Sequence, residues 1–376
     1  MKSKFANFIM SLVIILILAV IIIFGIIIFQ EIQEIDTSVE VDNDNFQTVI
    51  SDFHDTIDNN IETPKIIENP LNKIKDANTN VGKVDYSNIQ IDRYFYNQLD
   101  EYSKIIYRAF ESNKENMKTG TYKIELGSTF SSLLKEENGQ DELQKYYQSA
   151  IEAYTYDNSS IFYLSPNKMY LNIETTTKGN NVMYNVYINN GNENNYLVDG
   201  FSSKEQIDSA INQIEQVKYR LVSNKSGNTY NDIKMVHDYL VDNFEYDSSL
   251  SRQNIYNIYG ALVNNVCVCE GYARSFKYLM DEMGIPCVLV IGQGTNSQGQ
   301  TENHAWNYVN VNGNWYAIDC TWDDPVIIGG GTASRESKYR YFLKGANSFN
   351  GNHNPNGQFT PGGKVFEYPV ISSIDF

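Results

Sequence analysis

The chain has 376 residues, 42% hydrophobic and 13% aromatic, enough for more than one packed core. Its 46 acidic against 29 basic residues leave a net charge of −17, which argues against nucleic acid as a partner and fits a well-solvated surface. Four cysteines are too few for a small disulfide-stapled scaffold.

The first segment, FANFIMSLVIILILAVIIIFGIIIF at 5–29, carries no charge over 25 residues. At about 1.5 Å per residue it exceeds a bilayer core of about 30 Å. Lys2 and Lys4 precede it, Glu31 follows, and no small-residue cleavage site is present. The pattern predicts an uncleaved single-pass membrane anchor over 1–30, with the rest of the chain extracellular. Residues 31–88 read as an acidic stalk and linker, with ten acidic residues and no Lys or Arg between Glu31 and Pro64.

Residues 89–200 read as an α+β accessory domain. DRYFYNQLDEYSKIIYRAFE (92–111) places Tyr94, Leu99, Tyr102, Ile105, Ile106 and Phe110 on a helical stripe. GTYKIEL then alternates as a strand, and a helix is predicted around Gln140–Tyr154. SSIFYLSPNKMYLNIETT (159–176) and NNVMYNVYINNG (180–191) alternate as antiparallel strands. This region holds no His, Cys or Trp, and no chemistry is expected of it.

After a boundary near residue 200, SKEQIDSAINQIEQVKYRLV (203–222) and NDIKMVHDYLVDNFEYD (231–247) predict two helices. Next come Cys267 and Cys269, followed by Tyr272, Phe276, Leu279, Met280 and Met283 at helical spacing. Gly284, Ile285 and Pro286 stop that helix. Cys269 therefore stands at its N-terminus, where free N–H groups and the helix dipole favour a thiolate. CVLVIGQ follows as a buried strand.

In HAWNYVNVNGNWYAIDCTW (304–322) two alternating runs flank Asn312-Gly313, the mark of a tight hairpin. Pairing Val311 with Asn314 sets His304 opposite Thr321 and Trp306 opposite Asp319. His304 and Asp319 then become diagonal neighbours on one face, and Cys320 points to the other.

The residues leave several roles open. A thiol at a helix start with a histidine and a carboxylate supplies the parts of a Cys-His-Asp nucleophilic site. Cys267, Cys269 and His304 with one further ligand could hold zinc, although C-x-C lacks the usual ligand spacing. Cys287 and Cys320 could form a disulfide, and each thiol could equally be a core residue. His54 lies in the stalk, His237 on a helix and His353 in a Gly/Asn-rich tail at 351–376, so His304 is the best-placed base.

VCEGYARSFKYLM, ENHAWNYVNVNGNWYAIDCTWDDP and YRYFLKG closely resemble the transglutaminase-like superfamily over about residues 205–350. The resemblance implies an α+β fold whose papain-like core spans 201–350. In it, a helix bearing the cysteine packs on an antiparallel sheet bearing His and Asp. It places the nucleophile on Cys269, the general base on His304 and the orienting carboxylate on Asp319. The upstream Trp that helps stabilise the oxyanion in animal members has no counterpart before Trp306. The Cys269 backbone N–H, with Tyr246, Gln293 and Trp306 as side-chain candidates for oxyanion or substrate binding, is left for that role. No calcium site is recognisable, and neither a metal nor another cofactor is implied.

The implied activity is extracellular acyl transfer in a membrane-anchored bacterial member. Protein glutamines would be joined to lysine amines or deamidated, with cell-envelope proteins as substrates. A papain-like protease or amidase, or a non-catalytic surface binding protein on the same fold, are the alternatives.

Overall fold

The computed structural model describes residues 72–74 and 82–376, apart from 179–180, 297–298, 325–333, 335 and 356–362. The expected anchor, most of the stalk and His54 lie outside these residues. Among the described residues no helix is long and apolar enough to cross a membrane.

Helix α1 spans Glu101–Met117 and starts later than the apolar stripe suggests. Asp100 caps it, accepting from the Ser103 N–H and hydroxyl at 2.9 Å each, and Tyr96–Gln98 form a separate 3₁₀ turn. Helix α2 (Gly139–Asp157) packs on α1. A four-stranded sheet runs in the order β1 (Asn72–Ile74), β3 (Tyr170–Lys178), β4 (Asn181–Asn189), β2 (Ile124–Gly127). The strand expected from residue 159 begins only at Tyr170, because Pro166 has no N–H for a ladder and opens a 3₁₀ turn instead.

Helices α3 (Lys204–Val222) and α4 (Thr229–Asn243) begin at the capping side chains Ser203 and Asn228. A short parallel pair follows, β5 (Glu245–Tyr246) beside β6 (Val266–Cys267). Between them lies α5 (Ile258–Asn264), closed by Asn265 in the left-handed region at φ 56°. Helix α6 (Cys269–Met283) ends at Gly284, φ 75°, as its sequence indicates.

Strands β7 (Cys287–Thr295), β8 (Thr301–Val311), β9 (Asn314–Ile318) and β10 (His353–Asn354) form an antiparallel sheet ordered β10-β7-β8-β9. α6 packs across β7 and β8. A four-residue helix, α7 (Ala346–Phe349), leads into β10. Asn312 and Gly313, φ 54° and 88°, make the tight turn, and Val311 pairs with Asn314 as expected. The ladder stops at Asn307–Ile318, short of the anticipated Trp306–Asp319 pair. Asp319 turns the chain away: its Oδ1 accepts from the Thr321 and Trp322 N–H groups at 3.0 and 3.2 Å, and its own N–H goes to the Tyr341 carbonyl.

Either side of residue 200 the chain packs together. Arg274 donates to the Thr155 carbonyl at 2.7 Å, and Lys118 pairs with Asp208 at 3.0 Å. The described residues 351–355 and 363–376 dock on the fold. β10 pairs with β7, Phe366 packs edge-on against Phe95, and the Tyr368 hydroxyl bonds both backbone groups of Ile291. A Gly/Asn-rich composition masks those two aromatic anchors.

Two glycines let this segment approach. A Cβ at Gly292 would lie 2.3 Å from the Asn354 carbonyl oxygen and 2.4 Å from the Trp306 ring, and one at Gly294 2.9 Å from Trp322. Gly292→Ala is therefore expected to lose about 1–3 kcal/mol of stability by overpacking. A urea midpoint equal to that of the wild type would refute this account.

Candidate active site

Cys269 is the first residue of α6, and it is almost fully buried. The residue before it, Val268, offers no side-chain cap, so the helix dipole faces the thiol without competition from a capping carboxylate or hydroxyl. Two contacts hold this helix start in place. Asn307 on β8 donates to the Ala273 carbonyl at 3.0 Å, and Arg274 binds Glu270 at 2.7 Å while reaching Thr155.

His304 projects from β8 and is fully buried. Cys269 acts on the ring electrostatically, and the ring's Nε2 lies 2.7 Å from Asp319 Oδ2. Burial alone pulls the imidazole down, but Asp319 and then Cys269 outweigh it and hold His304 well above its ordinary value. Asp319 receives the two backbone N–H groups on Oδ1 and histidine on Oδ2. Although burial opposes it, these partners, His304 foremost, keep the carboxyl far below its ordinary range. The three residues singled out from the sequence thus come together, His304 bonded to Asp319 and coupled electrostatically to Cys269. Cys-to-His-to-carboxylate in that order can move a thiol proton to an imidazole and hold the resulting imidazolium.

Cys267 plays another part. It is fully buried, burial pushes its thiol well up, and it packs where a Cβ on Gly271 would come within 2.4 Å of its own Cβ. Cys287 and Cys320 are also free buried thiols, so the disulfide considered between them is absent.

Of the three side chains considered for oxyanion or substrate binding, Tyr246 comes nearest. Its strand pairs with Cys267, its ring stacks on Tyr272 at 6.4 Å, and burial followed by Cys269 pushes its phenol well up. A phenol kept protonated is a donor available to an oxyanion. Trp306 is buried beside His304, with ring centroids 5.9 Å apart. Gln293 does not join the site: it is exposed, and its neighbour Gly292 is the residue that pairs with His304, so Gln293 faces the other side of β7.

Two histidines passed over in the sequence are also buried partners. His353 places Nε2 3.0 Å from the same Asp319 oxygen that His304 uses. His237 on α4 places Nε2 3.0 Å from Asp323, four residues beyond Asp319. His304, Asp319 and His353 bring one ligand atom each within 4.8 Å of one another, a donor set a divalent ion could use. Their two shortest separations, 2.7 and 3.0 Å, are those of charge-assisted hydrogen bonds. Tetrahedral zinc with bonds of about 2.0–2.1 Å would spread its ligands to about 3.3 Å.

Residues 215–320 match the family model described as the transglutaminase-like superfamily. The chain is 24% identical over 143 residues to kyphoscoliosis peptidase of Mus musculus, covering 35% of this chain and 21% of that protein. With the Homo sapiens kyphoscoliosis peptidase it shares 32% identity over 66 residues, 16% of this chain and 10% of the other. The matched stretch thus spans about a fifth or less of each curated relative. Among solved structures, a crystal structure of a TGase aligns at 15% identity and a TM-score of 0.28, covering 46% of this chain and 48% of the other. The region that carries Cys269, His304 and Asp319 is thus the one that matches the transglutaminase-like superfamily.

Proposed function

We propose that this protein is a cysteine acyltransferase acting on glutamine side chains of other proteins at a cell surface. One observation carries the reading: the Cys269 thiol at a helix N-terminus is coupled electrostatically to His304, which is bonded to Asp319. The Cys269 thiolate attacks the carboxamide carbon, and the oxyanion takes donors from the Cys269 N–H and the Tyr246 hydroxyl. Collapse breaks the C–N bond, and the His304 imidazolium gives its proton to the departing ammonia. A lysine amine then attacks the thioester, His304 takes the amine proton, and the thiolate leaves with an isopeptide formed. Water in place of the amine gives glutamate. The surface setting rests on the uncharged segment at 5–29.

Peptide or amide hydrolysis by the same three residues is the second reading, and the curated relatives' name, kyphoscoliosis peptidase, is what favours it. Full-length protein incubated with a glutamine-rich protein and a fluorescent primary amine separates the two. Amine incorporation that disappears in Cys269→Ala and survives in Cys267→Ala is expected. Backbone cleavage dependent on Cys269 without incorporation would replace the transferase reading by the hydrolase one.

A further inference from the structure

His353 lies beyond the end of the family-matched region, on a two-residue strand that pairs with β7 opposite Gly294. Nothing about its surroundings is loose. Its ring stacks on Phe349 with centroids 3.9 Å apart, and it meets Trp322 at 4.5 Å and the edge of Trp306 at 5.0 Å. Nδ1 faces the Asn352 side-chain oxygen at 2.8 Å, and the other end of that amide contacts the Tyr341 hydroxyl at 3.0 Å. The ring's tilt and rotation are therefore both set, and Nε2 is left aimed at Asp319 Oδ2, 3.0 Å away.

The same oxygen serves His304 at 2.7 Å, so the carboxylate lies between two imidazoles. Burial draws His353 down to about 4, which leaves it neutral at neutral pH with a single N–H. Both ring nitrogens face oxygens, Asn352 Oδ1 and Asp319 Oδ2; turning the Asn352 amide so that its NH₂ meets Nδ1 and its oxygen takes the Tyr341 hydroxyl proton leaves the single N–H on Nε2, toward the carboxylate. His304 carries the proton that matters to the thiol, and His353 contributes a fixed neutral donor.

We propose that His353 is a positioning residue of this site, holding Asp319 Oδ2 where His304 needs it, so that the segment after the family-matched region completes the triad. The proposal rests on the reading of Cys269 as a nucleophile. It does not depend on what accepts the acyl group.

The test is the rate at which iodoacetamide alkylates each cysteine of the full-length protein, read by peptide mass spectrometry at pH 7. His353→Phe keeps the ring and its stacking but removes the donor. His353→Gln restores an amide N–H the same number of bonds from Cα as Nε2. Cys269 is expected to react about tenfold more slowly in the Phe variant, the scale of one hydrogen bond to a charged group. It should return to within about threefold of wild type in the Gln variant, on the same scale. Equal rates in wild type and the Phe variant would overturn the proposal, as would equal loss in both variants with a common fall in melting temperature. Should the Phe variant not fold, the wild type and the Gln variant decide. One low-field imidazole N–H proton resonance of the wild type should be missing in the Gln variant while Cys269 is not slowed; identical low-field resonances in the two proteins overturn the idea. Wild-type Cys269 reacting no faster than Cys267 would instead remove the nucleophile reading, and this proposal with it.

Discussion

Asp319→Asn is expected to lower amine incorporation about 10,000-fold at neutral pH while the protein stays folded. The reason lies in which atoms the side chain must satisfy. Thr321 and Trp322 present two backbone N–H groups to Oδ1, and those hold the amide oxygen of an asparagine in the same place. The amide NH₂ then faces both His304 Nε2 and His353 Nε2, and each must become an acceptor. The imidazole proton moves to Nδ1, on the side of Cys269, and the ring can no longer take the thiol proton. Initial rates together with a melting curve check this. A variant within tenfold of wild type would mean that Asp319 does not set the tautomer.

Asp323→Ala is expected to cost about 3–5 kcal/mol at pH 7, the penalty for leaving half of a buried ion pair. Asp323 is fully buried, takes His237 Nε2 at 3.0 Å on one oxygen and accepts from the Tyr341 N–H at 2.8 Å on the other. Without it a buried imidazole and a backbone donor both lose their partner. Burial lowers His237, but Asp238 and Asp323 outweigh it, so its folded value lies above the ordinary one. Burial pushes Asp323 up to about 6, so the charged pair is present above about pH 6 and fades as pH rises through the raised folded value of His237. The loss measured by urea denaturation should therefore shrink in alkali. A loss below 1 kcal/mol at pH 7 would show that the pair is not what holds this loop.

How far the sequence can be read depends on how local the information is. The α6 stripe and its Gly284 stop are contained in sixteen consecutive residues, and the structure reproduces both. The hairpin register followed from Asn312-Gly313 because a two-residue turn determines every pair behind it. The same arithmetic ran too far at Asp319, where a side chain competing for downstream N–H groups ends the strand. Pro166, with its missing N–H, and the Asp100 cap are local signals as well, and each marks its element's boundary. His353 was hidden for a different reason. It stands among Asn and Gly residues with no periodic apolar neighbours, and its partner Asp319 is 34 positions away. Its burial is created by Trp306, Trp322 and Phe349, which only the folded sheet brings together.

The late position of His353 has a consequence for how the protein is made. A chain emerges from its N-terminal end, and domains fold as units once their residues are available. Cys269, His304 and Asp319 all appear before β10 exists, and Phe366 and Tyr368, which dock on Phe95 and Ile291, appear later still. Throughout that interval the nascent chain carries a thiol and a base whose carboxylate is held from one side only. A reactive cysteine assembled in this order stays unfinished while it passes the crowded surroundings of synthesis, and becomes competent only after the segment that follows the triad has been delivered.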